Sequence, residues 1–332
     1  MRLLLGIALL ALTANAQWVR QKVDTTASFR GLAVVNEKIV WASGTGGTVV
    51  RTVDGGETWN VITVPGAEKL DFRDIEAFDA NTAYLLSIGN GDSSRIYKTT
   101  DGGKTWKLQF KNEDPKKFFD AIACWDVSHC IAMSDPVDRI FPLLETSDGG
   151  AHWNLFTPKV PPAAKQDEAA FAASGTCLIT QGKNTAFLVT GGGDARVFRS
   201  DDRGMTWTVS ETPVVKGRAA QGIFSIAMQD AKNGLIVGGD YQKPEVTMLT
   251  SGRTIDGGRT WGQATNLNGY RSGVAYIDRK TLIAVGTSGT DISSNNGSTW
   301  RTAGTEDLNA VQSKGRRATW AVGPKGMVVK LK

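Results

Sequence analysis

The chain has 332 residues, rich in glycine (38) and tryptophan (10) and poor in cysteine (3). Its 38 Lys and Arg against 33 Asp and Glu are evenly spread, with no basic run or aromatic-interleaved patch, so nothing points to nucleic-acid binding. His129 and His152 are the only histidines, which leaves no Cys and His spacing for zinc, and no dinucleotide motif is present, so no cofactor or metal is expected.

The first residues read as an address. Arg2 precedes an apolar stretch from Leu3 to Leu12, and Ala14-Asn15-Ala16 supplies the small residues a signal peptidase needs. The stretch is shorter than the ~20 residues that cross a bilayer, and no later segment is long and apolar enough to span. Residues 1–16 are therefore expected to be a signal peptide cut near Ala16-Gln17. The remainder, 17–332, is expected to be one secreted or periplasmic domain, monomeric and without a transmembrane segment.

After the leader, Gln17-Trp18-Val19-Arg20-Gln-Lys-Val23 looks like the strand that follows each of the hairpins described next. A unit then begins that repeats along the chain: a short apolar strand, a turn, a second strand, a Gly-rich loop and a third strand that enters a tight hairpin. The first copy reads GLAVV, IVWAS, TVVRT and the second RDIEAF, TAYLLS, RIYKT. Five hairpins share an eight-residue frame, at 52–59, 99–106, 146–153, 200–207 and 254–261. A sixth at 293–300 carries Asn295 where the others have Asp54, Asp101, Asp148, Asp202 and Asp256. Their tryptophans lie 47, 47, 54, 54 and 39 residues apart. Within a frame the carboxylate accepts hydrogen bonds from its own turn, and Gly takes a positive φ. These six residues are thus structural. A calcium loop needs several alternating carboxylates, and each frame offers one. In the third copy His152 replaces Thr, and that hairpin is expected to be slightly weaker.

A seventh unit, LNAV, TWAVG, MVVKL, ends the chain with only three strands, and the strand around Trp18 is the candidate fourth. Pairing the two ends would remove an open ladder edge. The expected fold is all-β: a seven-bladed β-propeller of four-stranded antiparallel blades, closed by the N-terminal strand. Six blades plus a terminal extension is the competing count. Cys124 and Cys130 face each other across one hairpin, and either pair or serve, like Cys177, as small core residues.

The hairpin frames resemble the Asp-box, or bacterial-neuraminidase, repeat (S/T-x-D-x-G-x-T-W). That resemblance implies that each box joins the third and fourth strands of a blade. The combination of leader, short units and segments such as Ala284-Val-Gly286 and Ala321-Val-Gly323 before the third strand resembles the exported photosystem II stability and assembly factor-like proteins. This implies a non-enzymatic binding or assembly role. Sialidases share the boxes and imply the runner-up, a carbohydrate-active hydrolase or lyase.

In a propeller, the residues free to act enter the innermost strands or sit in the loops after the second strands. The first set is Arg30, Arg73, Asp120, Glu168 or Ser174, Ser225, Arg271 and Asn309. The second holds Asp92, Asp135, Asp138, Asp194, Arg196, Asp240, Tyr241 and Ser288. A ligand funnel would use Arg30, Arg73, Asp92, Asp135, Asp194, Arg196 and Arg271. Its arginines suit an anionic small molecule, a glycan or an extracytoplasmic protein. Catalysis there would fall to Asp120, Glu168, Asp240 or Tyr241. The alternative is that Arg and Asp of neighbouring blades pair only to hold the ring. The Pro161–Thr176 stretch breaks the rhythm, either as a loop presenting Glu168 or as a connection crossing a crowded axis.

Overall fold

Short alternating strands bury both faces of a sheet only when further sheets stack on either side, and a ring of sheets does this without leaving a free end. A computed structural model describes residues 18–332; the leader expected at 1–16 lies outside the described residues. Seven antiparallel sheets form. Blade 1 runs outward from the axis as Phe29–Val34, Val40–Gly44, Thr48–Thr52 and Asn60–Thr63. The innermost strands of blades 2 to 7 are Phe72–Ala77, Phe119–Cys124, Leu178–Gln181, Arg218–Met228, Gly273–Tyr276 and Ala310–Ser313. Each packs beside the innermost strands of its two neighbours, so the seven enclose one axis. We call the face where they begin the front and the face where they end the back.

The chain ends close the ring. Trp18–Arg20 is the fourth strand of blade 7, with Trp18 opposite Leu331, Val19 opposite Lys330 and Arg20 opposite Val329. The Trp18 indole N–H also donates to Thr290 Oγ1 of blade 6 at 3.0 Å. The six-blade count is thereby excluded.

Blade 5 departs from the pattern. Glu168–Ala169 and Gly191–Gly192 add to its inner edge and make a six-stranded sheet. Gly222 is required there, because a Cβ on it would stand 2.2 Å from the Gly191 Cα. The innermost strand of blade 4 accordingly starts at Leu178, later than the repeat pattern predicts.

The six hairpins at the outer back rim share one bonding scheme. In the first, Thr52 Oγ1 donates to Asp54 Oδ1 (2.7 Å) and accepts from Gly56 N–H (3.0 Å), while Asp54 accepts from Thr58 N–H (3.0 Å) and Thr58 Oγ1 (2.5 Å). Such bonds favour the charged carboxylate. Those from Thr105 hold Asp101 at about 2. His152 makes the same two contacts to Asp148, from its N–H (3.0 Å) and its Nδ1 (2.6 Å), so this hairpin loses neither bond. Asn295 reverses one of them, its amide donating to Thr299 Oγ1 at 2.8 Å.

Each hairpin also docks on the blade before it. Trp59 meets Trp320 of blade 7, Trp106 meets Trp41 of blade 1 and Trp153 meets Tyr84 of blade 2, all edge to face at centroid distances of 5.7, 6.4 and 6.0 Å. A cation on the third strand of the preceding blade completes three of these docks. Lys98 lies over Tyr84 and donates to the Gly149 carbonyl, Lys330 over Trp320 to Gly55, and Arg199 over Phe187 to Gly257.

Because Trp18 ties blade 7 to blade 6, Trp18→Ala should cost about 2–3 kcal/mol of stability, somewhat less than a fully buried tryptophan. It should also raise amide exchange first in Val328–Leu331. Exchange mass spectrometry in which blade 7 is no more exposed than the other blades would contradict this.

Candidate functional site

The channel is blocked part-way. Residues 170–176 cross the axis and are pinned from five blades: Arg30 Nη1 donates to the Ala173 carbonyl (3.1 Å) and Arg73 Nη1 to that of Ala172 (3.3 Å). Ala170 N–H donates to Asp135 Oδ1 (2.9 Å), Ser174 Oγ to the Ser272 carbonyl (2.7 Å), and Thr176 Oγ1 meets Ser225 Oγ (2.7 Å). Gly175 sits so close to the Asp74 carboxylate that a Cβ would fall 2.2 Å from Oδ1. Of the two readings of Pro161–Thr176, the structure adopts the crossing. Glu168 is not presented to the channel; it pairs with buried Arg196, whose Nε donates to Oε1 at 3.0 Å.

In front of this plug lies a cavity of about 320 Å³ lined by Arg30, Arg73, Phe171, Phe224, Tyr241 and Tyr270 among others. A recurring backbone irregularity builds it. The innermost strands of blades 1, 2, 3 and 5 each carry a register shift that leaves Arg30, Arg73, Asp120 and Phe224 unpaired, the device by which a strand re-aims one side chain. In blade 5 the position therefore belongs to Phe224 and not to Ser225, one residue earlier than the repeat pattern predicts. Phe171 and Phe224 stack at 3.9 Å, with Tyr241 and Tyr270 edge-on to Phe224. Burial first, and the like charge of Arg73 second, lower the pKa of Arg30. Among the described residues Arg30 has no carboxylate at ion-pair distance, whereas Arg73 has Asp71 at 2.8 Å.

The other predicted residues do not converge on this cavity. Arg271 is buried and spent on Asp291 (2.8 Å), the Tyr270 carbonyl and Ser288. Asp92 is exposed beside Arg95 and Lys111. Asp194 is held by Lys165 (2.5 Å) and Lys216; burial would raise it, but these bonds prevail and keep it at about 2. Asp240 accepts from Gln221 Nε2 and Gln242 N–H. These pairs run within a blade or loop, whereas the Arg196–Glu168 pair joins blade 4 to the added edge strand of blade 5. Cys124 and Cys130 form a disulfide, and Cys177 is a buried free thiol.

The family model described as photosynthesis system II assembly factor YCF48 matches residues 10–116, less than half of the chain. A solved structure of YCF48 bound to D1 peptide superposes with a TM-score of 0.70 at 14% identity, covering 95% of this chain and 96% of that one. YCF48 from Cyanidioschyzon merolae gives 0.63 at 15%, covering 95% and 98%. The chain resembles the YCF48 propellers. A glycoside hydrolase of Niastella koreensis, GH74, also superposes (TM-score 0.63, 15% identity), covering 94% of this chain and 53% of that enzyme. No curated protein matches the sequence.

A group of buried acids surrounds the plug, of which the sequence pattern points only to Asp120 and Asp135. Burial, and then neighbouring Glu76, push Asp74 well up; burial, and then Asp135, do the same to Asp120, whose Oδ2 has no hydrogen-bond partner among the described residues. Asp135 rises to about 6 through burial. Arg271 does not join Arg30 and Arg73 at this cavity, because it is turned into blade 6 onto Asp291.

An acid whose folded pKa is raised makes the native state hold a proton that the unfolded chain has released, so stability falls as pH rises through that window. For Asp135 the window runs from its unfolded value of ~3.9 to about 6. Asp135→Asn should remove about 2 kcal/mol of the wild-type loss between pH 4.5 and 7. Equal losses in wild type and variant, measured by urea denaturation at both pH values, would refute it.

Proposed function

We propose that this chain is an exported, non-catalytic binding or assembly propeller that holds an anionic or carboxylate-bearing segment of a protein partner against its front cavity. Arg30 carries the reading. It is a desolvated guanidinium beside a second one, without a carboxylate of its own among the described residues, at the edge of an aromatic shelf. An anion there would relieve the repulsion between Arg30 and Arg73, and the rings of Phe171, Phe224 and Tyr241 would take an apolar side chain. The likeness to YCF48, solved with a D1 peptide, favours a peptide ligand over a glycan. Export is supported by the pattern of residues 1–16 and by the Cys124–Cys130 bridge, which persists in oxidising compartments.

Screening the full chain against an array of acidic peptides and extracytoplasmic extracts should yield ligands whose affinity drops about ten- to a hundredfold in Arg30→Ala/Arg73→Ala. Binding to every such ligand that survives the double substitution unchanged would reject the front cavity as the site. Intact-mass measurement on protein from an extracytoplasmic fraction should find Gln17 as the first residue, and a chain retaining Met1 would reject export by this leader.

A further inference from the structure

Behind the plug the channel widens into a second cavity of about 660 Å³ that opens on the back face. All seven innermost strands contribute their last residues to its wall, and Gly175 and Thr176 of the plug form its floor. This places the back cavity beyond reach of a ligand held in the front one. Its wall carries two groups that are of opposite sign when both are ionised, Glu76 from blade 2 and Lys314 from blade 7. Lys314 is close enough for its field to pull Glu76 down, but no ion pair joins them within 4.0 Å, and neither side chain has a hydrogen bond to any described residue. Phe78, Trp125, Met228 and Tyr276 supply the apolar wall.

That arrangement selects for charge pattern. A simple cation drawn to Glu76 would meet Lys314, and a simple anion drawn to Lys314 would meet Glu76. A molecule carrying both charges, set apart by a few bonds, satisfies the half-buried Glu76 and the exposed Lys314 at once. The volume is that of a site for a ligand of several hundred daltons, larger than one amino acid. We propose that the back cavity binds a short peptide with both termini free, its ammonium group on Glu76 and its carboxylate on Lys314.

The electrostatics give the proposal a proton signature. Burial pushes Glu76 up to about 8, against the pull of Lys314, so at neutral pH the empty site holds a proton there. An arriving ammonium displaces it, and affinity rises with pH between 6 and 8. Asp74, deeper on the same strand, is pushed well up by its own burial and then by Glu76. Tyr84, across the ladder, and Tyr276 of blade 6 are both pushed up to about 12 by burial. Cys124 of blade 3 is locked in its disulfide, and blades 4 and 5 present Thr180 and Met228.

Titration calorimetry on the full chain with phenylalanyl-glycine and a phenylalanyl tripeptide, against their N-acetylated and C-amidated forms, tests this. Capping either end should weaken binding about tenfold or more, the loss expected for one charge-assisted hydrogen bond. Runs at pH 7 in two buffers of different ionisation enthalpy should show proton release. Glu76→Gln should abolish that release, and Lys314→Ala should remove the penalty for amidation while leaving the acetyl penalty. Equal affinity for capped and free peptides, no proton release on binding, or no heat from any free di- or tripeptide at millimolar concentration would overturn the proposal.

Discussion

The contact on which this molecule depends is the one between a hairpin on one blade and the second strand of the blade before it. A β-sheet has two faces, and in a ring each face must be closed by a neighbour. The hairpin frames do this at the outer back rim with aromatic edges, as in Trp59 on Trp320 and Trp106 on Trp41. The close fit constrains the chain. The second frame glycine is a glycine because a Cβ at Gly150, Gly204 or Gly258 would stand 2.9 Å from Tyr84, Ile131 or Phe187 of the preceding blade. The repeated Asp acts differently, by rigidifying the hairpin so that its indole and glycine arrive in place. Local turn chemistry and the packing of the whole ring are therefore two uses of one motif.

The plug has no counterpart in the repeat, and it gives the ring two separate cavities in place of a through-channel. Its charge environment differs on the two sides. The front side carries guanidinium groups bonded to plug carbonyls, with stacked rings beside them. The back side carries Glu76 and Lys314, with Phe78, Trp125, Met228 and Tyr276 beside them. Buried acids between them, Asp74 and Asp120, resist ionisation because burial removes water and no cation forms an ion pair with either among the described residues.

The repeat is readable because its chemistry is local. The Thr, Asp, Gly and Trp of a frame bond to one another over four or five residues, so spacing alone marks every hairpin, and the unit count gives the number of blades. The closure by Trp18 is readable for the related reason that a three-stranded last unit leaves a ladder unpaired. The binding residues are legible only in part. Arg30 and Arg73 stand out as polar residues at equivalent strand starts and do meet at one cavity. Arg271, at the matching position of blade 6, is turned inward to Asp291, a partner twenty residues on whose approach no local pattern signals. Phe171, Phe224, Glu76 and Lys314 give no sign in sequence, since an aromatic or charged residue at a strand end reads as ordinary packing or as a solvated rim.

By itself, then, the sequence determined the kind of sheet, the number of sheets and the hairpins that join their outer strands, because each of these is decided by residues close along the chain. The tertiary structure decided which polar groups find one another across the axis, that residues 170–176 divide the channel, and that Asp74, Glu76, Asp120 and Asp135 share one interior. Those outcomes depend on distances between blades that are far apart in sequence, and on the loss of water when the ring closes, neither of which is written in any single repeat.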